Sequence, residues 1–115
     1  MPRHDDSVSL RQMLDHAREA VSFVEGRARE DLDVERVLTL ALVQLLQIMG
    51  EAAGRVSPSR RAERPEIPWS EIVALRNRLI HGYDTIDLDI LWEILTGDLP
   101  SLIGALERMV LGPQG

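Results

Sequence analysis

The sequence predicts an all-α fold, an antiparallel bundle of four to five helices in one domain spanning residues 1–115. Three observations predict it. Apolar residues recur at helical spacing in four separate stretches, no stretch alternates as a strand would, and the intervals between them carry Gly, Pro or clustered polar residues. A chain of 115 residues is one domain by size, long enough for one modest core and short enough that a partner subunit matters. With no cysteine, disulfides and thiolate metal sites are excluded, and a reducing cytoplasm fits. The opening MPRHDDSVSL has no apolar signal-like segment, and no run reaches the roughly 18 apolar residues that would span a bilayer, so a soluble protein is expected.

The first helix rests on Leu10, Met13, Leu14, Ala17, Ala20, Val21 and Val24, with Ser7 or Ser9 as its cap and Gly26 as a stop signal. A second is expected from about Asp33 to about Val56. Its apolar set, including Val37, Leu40, Leu42, Val43, Leu46 and Met49, covers more than one stripe, so it must bury two faces: one toward the core, one available to a second subunit. Pro58, Pro65 and Pro68 then impose a loop or one short helix. A third helix opens at Pro68 and Trp69, with proline where its missing N–H costs least, and stops at Gly82. The fourth begins near Asp87, with Gly97 and Pro100 expected to kink or split it and Asp98 as a cap for its second half.

Net charge is −6, which argues against a protein that coats nucleic acid non-specifically. The distribution is uneven: Arg55 to His81 carries a local +3, against −9 for the remainder. All 13 basic residues are arginine, a side chain suited to planar recognition of phosphate.

Within that basic segment stands RNRLIHGY, positions 76–83. Arg76 and His81 are five positions apart, about 140° around an ideal helix, so they can share a site only if the helix ends or distorts near His81. Gly82 supplies that ending. Asn77, four before His81, shares its face and can orient the imidazole; the dipole of a last helical turn would favour the protonated ring, and Arg76 and Arg78 push the other way, a balance the sequence leaves open. RNA can be cleaved without metal if one group deprotonates the 2′-hydroxyl, a second protonates the leaving oxygen and a cation stabilises the charge on phosphorus. Histidine suits the proton transfers and arginine the phosphate oxygens. One histidine for two roles calls for two copies of the chain, in agreement with the surplus apolar face of the second helix. The residues alone leave open the plainer reading, a histidine and an aromatic Tyr83 at a capped helix end. His4 and His16 have no partners at useful spacing and read as surface residues, and no metal-ligand constellation is present.

The set Arg76, four residues, His81, one residue, Tyr83 resembles the signature of the HEPN superfamily, and in particular its HepT-like toxin ribonucleases. LRQMLDHAREAVSFVEG, LVQLLQIMGEAAGRVS, IPWSEIVALRNRLIHGYD and LDILWEILTGDLPSLI are similar to that family's helices in order, over roughly residues 8–108. The resemblance implies an all-α homodimer whose shared cleft holds Arg76 and His81 as the catalytic pair, with Asn77 supporting them. It implies a metal-independent endoribonuclease, the toxin of a type VII toxin–antitoxin pair, that cuts tRNA or mRNA. It also implies a minimal nucleotidyltransferase antitoxin, MntA-like, that transfers AMP to Tyr83. A phenol beside the cleft is a sensible target, because the added nucleotide brings negative charge to the place where substrate phosphate binds. One departure is Gln47-Ile48-Met49, where relatives often carry an acid; Glu51 is expected as a buried or half-buried contact between helices, with a place near the cleft as the alternative. Arg55, Arg60, Arg61, Arg64 and Arg78 are candidates for RNA phosphate, and no cofactor, DNA or membrane partner is expected. The alternative is a non-catalytic helical adaptor that binds a nucleotidyltransferase partner or a nucleotide. An adaptor has no chemical need for the intact Arg, His and Tyr set.

Overall fold

The computed structural model describes residues 5–82 and 85–112. Helix α1 covers Asp6–Val24 and is capped by Asp5, whose carboxylate accepts the Ser7 N–H at 3.0 Å. Ser7 and Ser9 therefore lie inside the helix instead of capping it, and Ser9 is buried. A carboxylate has the advantage at this position because it also meets the positive end of the helix dipole. The periodic set from Leu10 to Val24 is buried as its spacing requires, apart from the half-buried Val21. Gly26, at φ +74°, provides the left-handed turn after the helix.

A short helix α2, Asp31–Val34, precedes the long α3, Arg36–Gly54. The expected single helix from Asp33 is interrupted at Glu35, whose φ and ψ of −105° and 82° are not helical. Helix α3 buries Leu42, Val43, Leu46, Met49, Ala52 and Ala53, and packs most extensively on α1. Its other face stays open: Val37 is 83% exposed and Leu40 46%, with Val34 of α2 at 79%. Each fully buried leucine along the α1–α3 seam contributes about 1.5–3 kcal/mol relative to exposure.

After α3 comes the short α4, Pro58–Arg61, held to the start of α1 by Asp6, which accepts the Ser57 N–H at 2.9 Å and its hydroxyl at 2.5 Å. The third expected helix, 68–82, is broken and shortened. It consists of α5, Trp69–Val73, and α6, Leu75–Leu79, divided at Ala74 with φ −94° and ψ 13°. Gly50 fixes how closely this pair approaches α3, since a Cβ there would stand 2.8 Å from the Ile72 carbonyl oxygen. Beyond Leu79 the chain turns extended at Ile80 and forms a strand, β1 (Ile80–His81), paired antiparallel with β2 (Thr85–Ile86), Ile80 opposite Ile86. No strand is legible from two-residue segments, which are too short to alternate.

Asp87 caps α7, Leu88–Glu93. A π-helical turn over Ile94–Asp98 leads into α8, Leu99–Leu111, which packs on α1. The predicted kink at Gly97 and Pro100 takes this form: Pro100 has no N–H for the Thr96 carbonyl, and the wider turn absorbs the break. Because helical geometry runs through this turn, Asp98 is itself helical and its side chain caps nothing. The bundle is all-α apart from the small hairpin.

Candidate active site

The hairpin places His81 outside the helix that carries Arg76. Helix α6 ends at Leu79, so Asn77 and His81 are not one helical turn apart, and the α6 dipole has no last-turn histidine to act on. Ile80, with φ −115° and ψ 121°, is the residue that redirects the chain. Gly82 keeps its predicted left-handed conformation, φ +70°, but serves the hairpin and not the helix end. Tyr83 lies outside the described residues.

His81 is 58% exposed by side chain and its Nε2 lies 3.4 Å from the Asp87 carboxylate. The other carboxylate oxygen accepts the Ile90 N–H at 3.0 Å. That backbone donor, with a smaller contribution from His81, holds the Asp87 carboxyl below its usual range against the opposing effect of desolvation. Since the folded pKa is the depressed one, the cap is intact above the unfolded carboxylate pKa and is lost as pH falls through the folded one. Near neutrality Asp87 is ionised and can only accept hydrogen bonds.

Arg76 is exposed and lines a concavity of about 370 Å³ between α3 and the α5–α6 pair, together with Gln47, Gly50 and Glu51. Glu51 is exposed there and not buried between helices. His81 is not among the side chains lining it. Arg78, two residues from Arg76 and so about 200° around the helix, lines a different cavity of about 470 Å³ with an apolar floor, and stands 3.9 Å from Asp98.

This arrangement can be set beside known proteins. The family model for ribonuclease HepT-like proteins matches residues 13–109, which include Arg76, His81 and Tyr83. The chain belongs to this family. It is 32% identical to "Probable ribonuclease HepT" of Thermococcus cleftensis, over 88% of this chain and 96% of that one. A provisionally named RNase of Methanocaldococcus jannaschii is 31% identical, over 89% and 94% of the two chains. Another, from Caldanaerobacter subterraneus subsp. tengcongensis, is 34% identical over 81% and 83%. No solved structure matches the chain significantly.

In this HepT-like chain the arginine-rich loop is largely occupied with the fold. Arg61 donates from Nε to the Val56 carbonyl and from Nη2 to the Ala53 carbonyl, both at 3.0 Å, and its guanidinium lies 6.0 Å from the Trp69 ring centroid. It thereby ties down the chain leaving α3, sharing the Ala53 carbonyl with the Val56 N–H, which lies 3.2 Å from it, and taking the Val56 carbonyl just past the helix. Arg60 pairs with Glu63 and donates to the Met109 carbonyl at 3.1 Å, while Arg64 stands 3.4 Å from Glu66. Arg55 is exposed and engages no acid among the described residues. Arg61→Ala is therefore expected to lower unfolding stability by about 1–3 kcal/mol, with RNA affinity changed less than about twofold. Arg55→Ala should leave stability unchanged and flatten the salt dependence of RNA binding. Urea denaturation and binding at several salt concentrations check both; a stable Arg61→Ala with weakened RNA binding would reverse the assignment.

Proposed function

We propose that this chain is an endoribonuclease, the toxin of a toxin–antitoxin pair, acting on tRNA or mRNA in the cytoplasm without a metal. The observation that carries the reading is family membership across residues 13–109 with Arg76, His81 and Tyr83 all retained at the signature spacing. Arg76 clamps a phosphate oxygen and stabilises the charge that develops on phosphorus. His81 takes the 2′-hydroxyl proton or donates one to the leaving oxygen. Within one chain His81 does not line the groove that Arg76 lines, and one imidazole cannot begin a single turnover as both base and acid. A homodimer resolves both points by joining the two sites in one cleft. The apolar face formed by Val37 and Leu40 on α3, with Val34 before it, supports such an association.

A minimal nucleotidyltransferase antitoxin silences the enzyme by modifying Tyr83. The phenolate oxygen attacks the α-phosphorus of ATP, pyrophosphate leaves, and the attached AMP occupies the phosphate-binding cleft. The test uses the purified chain with tRNA and with mRNA in the presence of a chelator, before and after incubation with the candidate antitoxin, ATP and magnesium. Cleavage is expected before incubation. Afterward, loss of cleavage should accompany an intact-mass gain of one or more AMP units, absent in Tyr83→Phe. A chain that cuts neither RNA but still gains AMP would overturn the nuclease and favour a modified adaptor. Cleavage without any mass gain would overturn the switch alone.

A further inference from the structure

His81 and Asp87 are six residues apart and meet because of the hairpin. The pairing of Ile80 with Ile86 brings the two chain segments alongside each other, and the Asp87 N–H donates to the Leu79 carbonyl at 2.7 Å. The residue after β2 is thus pinned beside the end of α6. Its carboxylate is fixed at one oxygen by the Ile90 N–H at 3.0 Å, and the other oxygen is directed to His81 Nε2 at 3.4 Å. The Asp87 side chain is 30% exposed, whereas the ring it faces is 58% exposed.

We propose that Asp87 is the positioning residue of His81: it holds the proton of the neutral imidazole on Nε2 and leaves Nδ1 as the nitrogen that faces RNA. The assignment of Nδ1 to chemistry rests on the reading of His81 as a proton-transfer group; the tautomer does not. A neutral imidazole carries one N–H, and an acceptor-only carboxylate 3.4 Å from Nε2 favours the proton on that nitrogen. Nδ1 then has the free lone pair and, among the described residues, no hydrogen-bond partner. In the base role it takes the 2′-hydroxyl proton; in the acid role, on the second copy, the imidazolium gives its Nδ1 proton to the leaving oxygen. The carboxylate stays ionised in both states and never accepts the proton outright. Without it an exposed ring on a two-residue strand would rotate and exchange tautomers freely.

Asp87 also caps α7, so the test must separate capping from positioning. Asp87→Asn keeps the cap, since Asn caps as well as Asp. Its single carbonyl oxygen goes to the Ile90 N–H, which turns the amide NH₂ toward Nε2 and demands the opposite tautomer. Asp87→Ser keeps the cap with a side chain too short to reach the ring. The full-length chain is labelled with ¹⁵N-histidine, and long-range ¹H–¹⁵N spectra are recorded at a pH where the imidazole is neutral. With three histidines in the chain, His81→Gln identifies the signal. The wild type should show the Nε2–H form, Asp87→Asn the Nδ1–H form, and Asp87→Ser a mixture. In the same Asn variant kcat for RNA cleavage should fall about 10²-fold or more, with KM within about threefold and the melting temperature unchanged. One and the same tautomer mixture in all three proteins, or an Nδ1–H form in the wild type, would overturn the proposal. Should the wild type cleave no RNA, the spectra still decide the tautomer, and only the catalytic use of Nδ1 falls with the nuclease reading.

Discussion

His81→Ala is expected to lower RNA cleavage by about 10²–10⁴-fold, the usual contribution of a positioned acid or base, while leaving the fold intact. The separation is unusually clean here because the ring contributes little to the core. It is exposed, lies on a two-residue strand, and among the described residues has one charged neighbour, Asp87, whose other oxygen remains engaged by the Ile90 N–H. An exposed pair of this kind contributes about 0–1 kcal/mol, so the melting temperature should move by only a few degrees. In a dimer with two composite sites the alanine variant loses acid and base together. A mixed dimer of wild-type and His81→Ala chains should then be nearly as impaired as the double variant if each site needs both rings, and half as active if it needs one. Wild-type cleavage by the His81→Ala homodimer, at equal concentration and after removal of contaminating nuclease, would defeat the assignment.

What the sequence disclosed and what it concealed divide along the range of the interactions involved. The buried stripe of α1 was legible because Leu10, Met13, Leu14 and Ala17 report a period that one helix imposes on itself. The open face of α3 was legible for the same reason: Val37 and Leu40 exceed what a single core-facing stripe accounts for. The motif region is not legible in the sequence because its geometry depends on a non-local pairing. Ile80 continues the apolar helical pattern, and nothing at position 80 itself announces that Ile86 will pair with it. Gly82 does signal a left-handed residue, which suits a helix end and a hairpin equally. Asp87 was visible as the start of a helix, but its approach to His81 follows from β1 and β2 lying side by side. An aspartate directly preceding the apolar run after a glycine-containing turn was the available clue. The roles of the arginines are hidden for another reason, since charge in a sequence does not disclose whether a guanidinium faces solvent or a helix C-terminus. Arg61 is turned inward to the carbonyls of Ala53 and Val56, whereas Arg76 stands in an open groove.

Leu79→Ala should be the most damaging substitution outside the site itself, because position 79 joins the core to the hairpin. Its side chain is 0% exposed, at the last residue of α6, and its carbonyl accepts the Asp87 N–H at 2.7 Å. Truncating a fully buried leucine costs about 2–5 kcal/mol, a large share of the roughly 5–15 kcal/mol that holds a typical domain together. At about 4 °C or more per kcal/mol for a chain near this size, the melting temperature should fall by some 8–20 °C. The stability loss alone does not remove activity, since the chain still folds at low temperature. The geometry should suffer separately: loosening Leu79 loosens the anchor of Ile80–His81 and Asp87 together, and a displacement near 1 Å at a reacting group is enough for about a 10²-fold loss. Cleavage assayed at least 15 °C below the variant's own midpoint distinguishes the two effects. Val73→Ala, at a 45% exposed position on the neighbouring α5, is the control and should stay within about 0.5 kcal/mol of wild type. A destabilised Leu79→Ala that cleaves at the wild-type rate in the cold would mean that the hairpin keeps its own geometry, and that its hold on His81 owes nothing to the core beneath it.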